Sequence, residues 1–340
     1  MSNVFAMVTS GAIAFTVTAL LGFVLIPWLH KLKFGQTILE IGPKWHKSKQ
    51  GTPTMGGLMF IAAITSAIIV VFVSDRIMGG DLVGNNSIVK STYYTRFWSG
   101  LIMALSFALV GFLDDYIKVV RKRNMGLTVI QKTVVQLLII FAYLMSMRMT
   151  GEQSMFVPFL GNVPMGWFYW IFGICVIYGT INAVNFTDGI DGLCSSVTVT
   201  AAISFIVIAF MRKNMGAGLL SSALLGGCAG FLVWNRNPAK VFMGDTGSMF
   251  LGGMVVAISY ALECPLILIL TGIVYVIEAM SDVIQIGYFK LTHGKRIFKM
   301  APIHHHFEMS GWKEKKIVAV FSLVNAMGGI AAILLMYYGK

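Results

Sequence analysis

Residues 97–118 read FWSGLIMALSFALVGFLDDYIK, an apolar run that ends in two adjacent carboxylates, Asp114 and Asp115. Crossing a bilayer takes about 20 mostly apolar residues. A carboxylate at the edge of such a run is costly unless a cation or a hydrogen-bond network meets it. The same reading extends along the chain, with candidate spans at 4–29, 56–74, 97–113, 129–147, 167–184, 193–211, 217–234, 247–262, 265–286 and 317–338. Pro265 suits the first turn of its helix, where no intrahelical N–H partner is lost. The expectation is an all-α, polytopic membrane protein with about ten transmembrane helices.

Composition agrees. The chain has 340 residues, of which 57% are hydrophobic and only 12% charged, and its mean hydropathy is +0.79. A soluble domain carries roughly 25% charged residues. No long polar stretch or internal repeat divides the chain, so residues 1–340 read as a single membrane domain. The N-terminal apolar run has no basic segment before it and reads as a first helix, not a cleaved signal peptide. Cys175, Cys194, Cys228 and Cys264 lie in or at the ends of apolar runs without CxxC pairing, as small buried residues would.

The net charge of +12 does not indicate nucleic acid, because the basic residues sit in short loops beside apolar runs, where they act as topology signals. One set of loops holds Lys31, Lys33, Lys44, Lys47, Lys49, Lys118, Arg121, Lys122, Arg123, Arg236, Lys240, Lys290, Lys295, Arg296, Lys299, Lys313, Lys315 and Lys316. The opposite set, with the C-terminus, holds only Arg76, Lys90, Arg148, Arg212, Lys213 and Lys340. This bias puts the first set in the cytoplasm and both termini outside. Asp114, Asp115, Asp188, Asp191 and Asp245 then all fall at the cytoplasmic face, with His30, His46, His293, His304, His305 and His306, whereas Asp75, Asp81, Glu152 and Glu263 fall outside. The histidines and aspartates had no part in assigning sides, so their sorting independently supports a cytoplasmic site.

Five stretches carry the polar chemistry. Asp114-Asp115-Tyr116-Ile117-Lys118 pairs carboxylates that repel unless a cation lies near or one is protonated, and oxygen ligands of this kind suit Mg²⁺ with substrate phosphates. Lys118 falls on the helical face of Asp115. Asn182-Ala-Val-Asn185-Phe-Thr-Asp188-Gly-Ile-Asp191-Gly192 presents four polar groups at turn spacing between two apolar spans. Phe242-Met243-Gly244-Asp245-Thr246-Gly247-Ser248 opens the eighth span, where free N–H groups bind anions and Asp245 either caps the helix or holds a metal. Lys49-Gln-Gly51-Thr52-Pro53-Thr54-Met55-Gly56-Gly57 puts a lysine, hydroxyls and glycines at a helix start, without the spacing of a Walker A loop. In Pro302-Ile303-His304-His305-His306-Phe307-Glu308, consecutive histidines cannot easily close one tetrahedral zinc site and serve better as donors to phosphate or sugar. Glu278, Ser281, Asp282 and Gln285 form a polar stripe on the ninth span that should face the interior or a cavity.

In this order the five stretches closely resemble those of the bacterial phospho-N-acetylmuramoyl-pentapeptide transferases, within the wider superfamily of polyprenyl-phosphate sugar-1-phosphate transferases. The resemblance runs end to end, and the Pro-x-His-His-His-Phe-Glu stretch points to the muramoyl-pentapeptide branch. It implies that UDP-MurNAc-pentapeptide and undecaprenyl phosphate give lipid I and UMP, with Mg²⁺, at the cytoplasmic face of the inner membrane. It further implies a homodimer and a uridine pocket open to nucleoside inhibitors. By this analogy Asp245 ligates Mg²⁺, with Asp114 and Asp115 beside the metal and the lipid phosphate. Asn185, Asp188, Asp191, Lys49 and Phe242 would line the nucleoside pocket, Phe242 against uracil. Thr54, Lys132, Gln285, His304 and His305 would surround the diphosphate, sugar and lipid head. Lys118, Asn182, Gly244, Ser248 and His306 complete the candidate substrate-binding set, and His304 joins the three aspartates as a catalytic candidate.

The second pKa of a phosphate monoester is about 6, so the lipid nucleophile is already mostly dianionic at neutral pH. Positioning thus accounts for Asp114 and Asp115 without a base; Asp114 as base, and a covalent aspartyl-phosphate route, stay open alternatives. A lipid groove near the fifth and ninth spans is expected. The rival readings are a polyprenyl-phosphate GlcNAc-1-phosphate transferase, a cation-coupled transporter, which would want polar sites near the bilayer midplane and an inverted repeat, and a purely structural membrane partner.

Overall fold

The computed structural model describes residues 3–32, 49, 51–84, 90–121, 126–151 and 154–339. Lys33, Lys44, His46, Lys47, Lys122, Arg123, Glu152 and Lys340 lie outside the described residues, as does Gln50 of the Lys49–Gly57 stretch. Helices α1 (Asn3–Lys31), α2 (Gly57–Ile77), α3 (Lys90–Val120) and α4 (Val129–Met149) come first. After a short hairpin follow α5 (Phe168–Thr187), α6 (Leu193–Met211), α7 (Met215–Asn235) and α8 (Gly244–Ala261). A 3₁₀ turn at Pro265–Ile267 leads into α9 (Leu268–Thr271) and α10 (Ile273–Leu291), and the chain ends with α11 (Ile303–Glu308) and α12 (Glu314–Tyr338).

Eight of these helices are long and apolar enough to cross a membrane, and the Pro265–Thr271 and Ile273–Leu291 pair makes a ninth span bent by 85° at Gly272. The one expected span that remains, the eighth, is α8, and it has a different character. It is only 18 residues long, with Asp245 in its first turn, and is buried from Thr246 to Ala261. A helix enclosed by protein has no lipid-facing stripe to fill, so it tolerates polar residues that an outer helix would not. α3, α5, α2, α6 and α7 pack around it. Lipid gives helices no hydrophobic drive to associate, so close approach between small residues does that work. Along the α3–α8 crossing, Gly253 abuts Ala104 and Gly100 abuts Ala257. Phe60 of α2 fills the other flank, edge-on to Phe231 at 5.1 Å between centroids and tilted to Phe250 at 6.2 Å.

The all-α architecture holds, with one small addition: β1 (Ser154–Val157) and β2 (Gly161–Pro164) form an antiparallel hairpin with Ser154 opposite Pro164 and Val157 opposite Gly161. It docks through Phe156 N–H, which donates to the Glu263 carbonyl at 3.0 Å, and through Arg212, whose guanidinium lies 4.2 Å from the Phe156 ring centroid. One expectation needs correction: the cysteines are not all buried. Cys194, Cys228 and Cys264 are, but Cys175 is exposed on α5, where an outward-facing thiol meets no competing polar demand.

Candidate functional site

Three helix ends meet at the paired aspartates. Asp114 and Asp115 occupy the last turns of α3, both buried. Asp245 enters from the first turn of α8. One oxygen from each of the three carboxylates lies within 4.8 Å of the others. Each is held separately. Asp115 accepts from the Thr246 N–H at 2.9 Å and the Thr246 hydroxyl at 2.7 Å, which docks it on the N-terminus of α8. Asp114 accepts from the Leu127 N–H at 2.8 Å, tying the end of α3 to the start of α4. A capping box at Thr128 and Gln131 then starts α4 and aims Lys132 at Asp245 Oδ2, 2.8 Å away.

The lysines oppose the carboxylates directly. Lys118 Nζ is 2.6 Å from Asp114, 3.9 Å from Asp115 and 3.3 Å from Asp245. It thus bridges all three, as its position on the Asp115 face of the helix requires. Asn185 donates to Asp245 Oδ1 at 3.3 Å and to the Ser248 hydroxyl at 2.9 Å, joining α5 to α8. Gly244 is where the chain turns: its φ is +70°, and a Cβ there would meet both the Asp115 carboxylate and the Thr54 hydroxyl. Its lack of a side chain lets Thr54 come up to the aspartates. The two loops are zipped by backbone bonds, Phe242 N–H to the Pro53 carbonyl, Gly56 N–H to Phe242 and Gly57 N–H to Met243. Half-buried Phe242 is thereby fixed beside the start of α2.

The Asn182–Gly192 stretch runs from this centre to two further clusters. Asn182 turns back along α5, donating to the Tyr178 carbonyl at 2.8 Å, and is 3.5 Å from the Gln136 side chain. Asp188 follows the last turn of α5 and is within electrostatic reach of Asp245, Asp115 and Asp191; burial first, then these carboxylates, push its carboxyl well above the usual carboxylate range. Next to it, the imidazole of fully buried His304 presses against Gly189. His304 Nδ1 lies 3.0 Å from Glu278 Oε2, while His304 Nε2 and Glu278 Oε1 are buried without a hydrogen-bond partner among the described residues. Asp191 closes the stretch. It accepts from Lys49 at 2.7 Å, Asn237 at 3.0 Å and the Ala239 N–H at 3.0 Å, and Lys49 is also 2.7 Å from Glu314 at the head of α12.

The structure therefore joins Lys49, Thr54, Asp114, Asp115, Lys118, Lys132, Asn185, Asp188, Asp191, Gly244, Asp245 and Ser248 along one connected face, with His304 on its edge. Gln285 is engaged differently from the expectation: its side chain accepts from the Ile297 and Phe298 N–H groups and donates to the Phe298 carbonyl, at 2.9–3.1 Å. His306 likewise accepts from the Lys299 N–H at 3.1 Å, and His305 Nδ1 lies 2.6 Å from Glu308. The polar stripe of the ninth span thus meets the histidine segment. Sequence reasoning missed Asn237, Glu314 and the Leu127 N–H; only Glu314, an acid in a run of lysines, gave a local hint. A cavity lined by Met147, Met155, Tyr169, Tyr260 and Glu263 lies beside the hairpin and includes none of these residues.

Residues 97–263 match the family described as glycosyl transferase family 4, and residues 49–61 match the phospho-N-acetylmuramoyl-pentapeptide-transferase signature 1. A phospho-N-acetylmuramoyl-pentapeptide-transferase of Listeria monocytogenes serotype 4b is 42% identical over 339 residues, 99% of this chain and 100% of that protein. Proteins of the same name from Acetivibrio thermocellus and Clostridium perfringens are 43% and 46% identical, over 93% of this chain and 91% and 94% of their own lengths.

Proposed function

Because the chain belongs to the phospho-N-acetylmuramoyl-pentapeptide transferase family, we propose that its aspartate face transfers phospho-MurNAc-pentapeptide from UDP-MurNAc-pentapeptide to undecaprenyl phosphate, giving lipid I and UMP. The observation that carries this reading is the convergence of Asp114, Asp115 and Asp245 from two helices to within 4.8 Å, flanked by Lys118 and Lys132. Purified protein given both substrates should release UMP, and Asp245→Ala should abolish that release.

The donor set fits Mg²⁺. It offers carboxylate oxygens alone, from side chains already oriented by Thr246, Leu127 and Asn185, and hard cations that keep phosphate ligands prefer such sites. Asp245, Asp114 and Asp115 would hold the ion, which when bound supplies positive charge to the diphosphate oxygens. The other tasks fall to the protein. An oxygen of the lipid phosphate attacks the sugar-bearing phosphorus of the UDP-sugar, the bond to the UMP oxygen breaks, and UMP leaves with the electron pair. Both reactants are anions, so Lys118 and Lys132 offset their repulsion and hold the reacting atoms in line; phosphoryl transfer is largely positioning plus charge stabilisation. Asp114 serves as an orienting group. Its carboxylate already accepts from Lys118 and the Leu127 N–H, and a dianionic phosphate needs no base.

Asn185, Asp188, Asp191, Lys49 and Phe242 form the nucleoside side of the site, where nucleoside inhibitors would compete. Lys49 and Asp191 act there as a pair, since each already holds the other. Thr54, Lys132, His304 and His305 face the diphosphate and sugar, and Gln285 contributes by fixing the segment before them. The lipid acceptor reaches the aspartates from a groove between α5 and α10. The protein works as a homodimer in the bacterial inner membrane, with both termini outside and the aspartate face in the cytoplasm. The lysine and arginine bias supports that orientation.

A further inference from the structure

Asn325 stands near the middle of the 25-residue helix α12 and is fully buried. Its amide contacts the broken ninth span on both sides of the break. Nδ2 donates to the carbonyl of Thr271, the last residue of α9, at 3.0 Å, and Oδ1 accepts from the N–H of Val274, in the first turn of α10, at 3.3 Å. Nδ2 also reaches the Val197 carbonyl at 3.2 Å and the Thr200 hydroxyl at 2.9 Å on α6. A helix broken within a bilayer leaves carbonyl and N–H groups that water cannot satisfy, and each unpaired group costs several kcal/mol. One side chain pairs such a group on each side of the 85° bend and anchors both to α6.

The direction of α10 matters to the site because α10 carries the supports of the histidine segment. Glu278 holds His304, and Gln285 holds Ile297 and Phe298. α12 also backs closely onto the break, since a Cβ at Gly328 would run into the Leu270 carbonyl and the Ile273 side chain. We infer that Asn325 is a positioning residue for the transfer reaction: its amide fixes the break at Gly272, and with it the place of His304 against Gly189. The inference rests on the reading of His304 as a substrate-facing group.

The test combines a distance with turnover. Spin labels at positions 120 and 291, both exposed, in a Cys175→Ser background report where the end of α10 lies relative to α3. Wild type should give one narrow distance. Asn325→Leu removes these amide contacts at similar volume and should broaden it. Because a misplacement of about 1 Å can cost on the order of 10²-fold in rate, kcat should fall by about that factor, with KM for the UDP-sugar changed far less. Gly328→Ala presses on the same break from behind and should act in the same direction, which keeps the test decisive if Asn325→Leu fails to fold. Thr200→Val removes only the α6 hydroxyl and should leave distance and kcat near wild type. A narrow distance and wild-type kcat in both break variants would overturn the inference. So would a broadened distance with unchanged kcat. His304→Ala, run in parallel, tells the two claims apart. Loss of turnover there but not in the break variants places the failure in Asn325 alone, whereas retained turnover in His304→Ala removes His304 from the site.

Discussion

Asp188 shows how the site holds more negative charge than its surroundings favour. Burial and three neighbouring carboxylates raise its pKa, so in metal-free protein its contribution to stability is complete below the ordinary carboxylate pKa of about 3.9 and is lost as pH rises through the folded-state value. Asp188→Asn removes that dependence. In chelator, the difference in unfolding midpoint between Asp188→Asn and wild type should therefore grow from pH 5 to pH 8 in favour of the variant; a difference that shrinks would contradict the assigned cause. Asp114 is tested through activity. As an orienting group its replacement by Asn should lower kcat by a similar factor across pH 5.5–8.5, with a loss on the order of 10² to 10³-fold as for other preorganised electrostatic groups. A loss concentrated at low pH would mark it as the base. The aspartates themselves were legible in the sequence, because charged pairs at the ends of apolar runs have few structural explanations. Their partners were not. Asn237, Glu314 and the Leu127 N–H reach Asp191, Lys49 and Asp114 only through the fold, and nothing in local spacing distinguishes Gln285 as a backbone anchor from Gln285 as a substrate ligand.

Among the elements, the start of α4 has the most direct bearing on the chemistry. The Thr128–Gln131 capping box satisfies free N–H groups at the helix start, one turn before Lys132 meets Asp245. Thr128→Ala should cost about 1 kcal/mol of stability, measured by denaturant unfolding in detergent, and should weaken turnover through Lys132 more than it weakens the fold. Helix positions were readable from apolar run length, and the structure keeps their order. Two features escaped that reading. Each hairpin strand has four residues, too few for a period of two to stand out from the apolar runs around it. The break at Gly272 also left no mark, because a single glycine is tolerated in a membrane helix; the side chain that pairs its two sides, Asn325, lies more than fifty residues later in the chain.

For the whole molecule, two properties follow from the arrangement of charge and apolar surface. The proposed orientation, with the lysine-rich loops in the cytoplasm, predicts that an impermeant maleimide added to intact cells labels a cysteine placed at exposed Phe159 in the hairpin connection and spares one placed at exposed Leu291; the reverse pattern would invert the topology. The all-α membrane architecture was legible from composition and run length alone, whereas the enclosure of α8 by its neighbours needed the packed structure, since a buried helix and a lipid-facing helix are both apolar in sequence. That enclosure sets Asp245 at the centre of the face to which the transfer reaction is assigned under the proposed function. The most direct test of that function is UMP release by purified protein with Mg²⁺, undecaprenyl phosphate and either UDP-MurNAc-pentapeptide or UDP-GlcNAc. UMP should form with the muramoyl-pentapeptide donor, require the lipid acceptor, and disappear in Asp245→Ala; no UMP from that donor, or equal release from UDP-GlcNAc, would contradict the account.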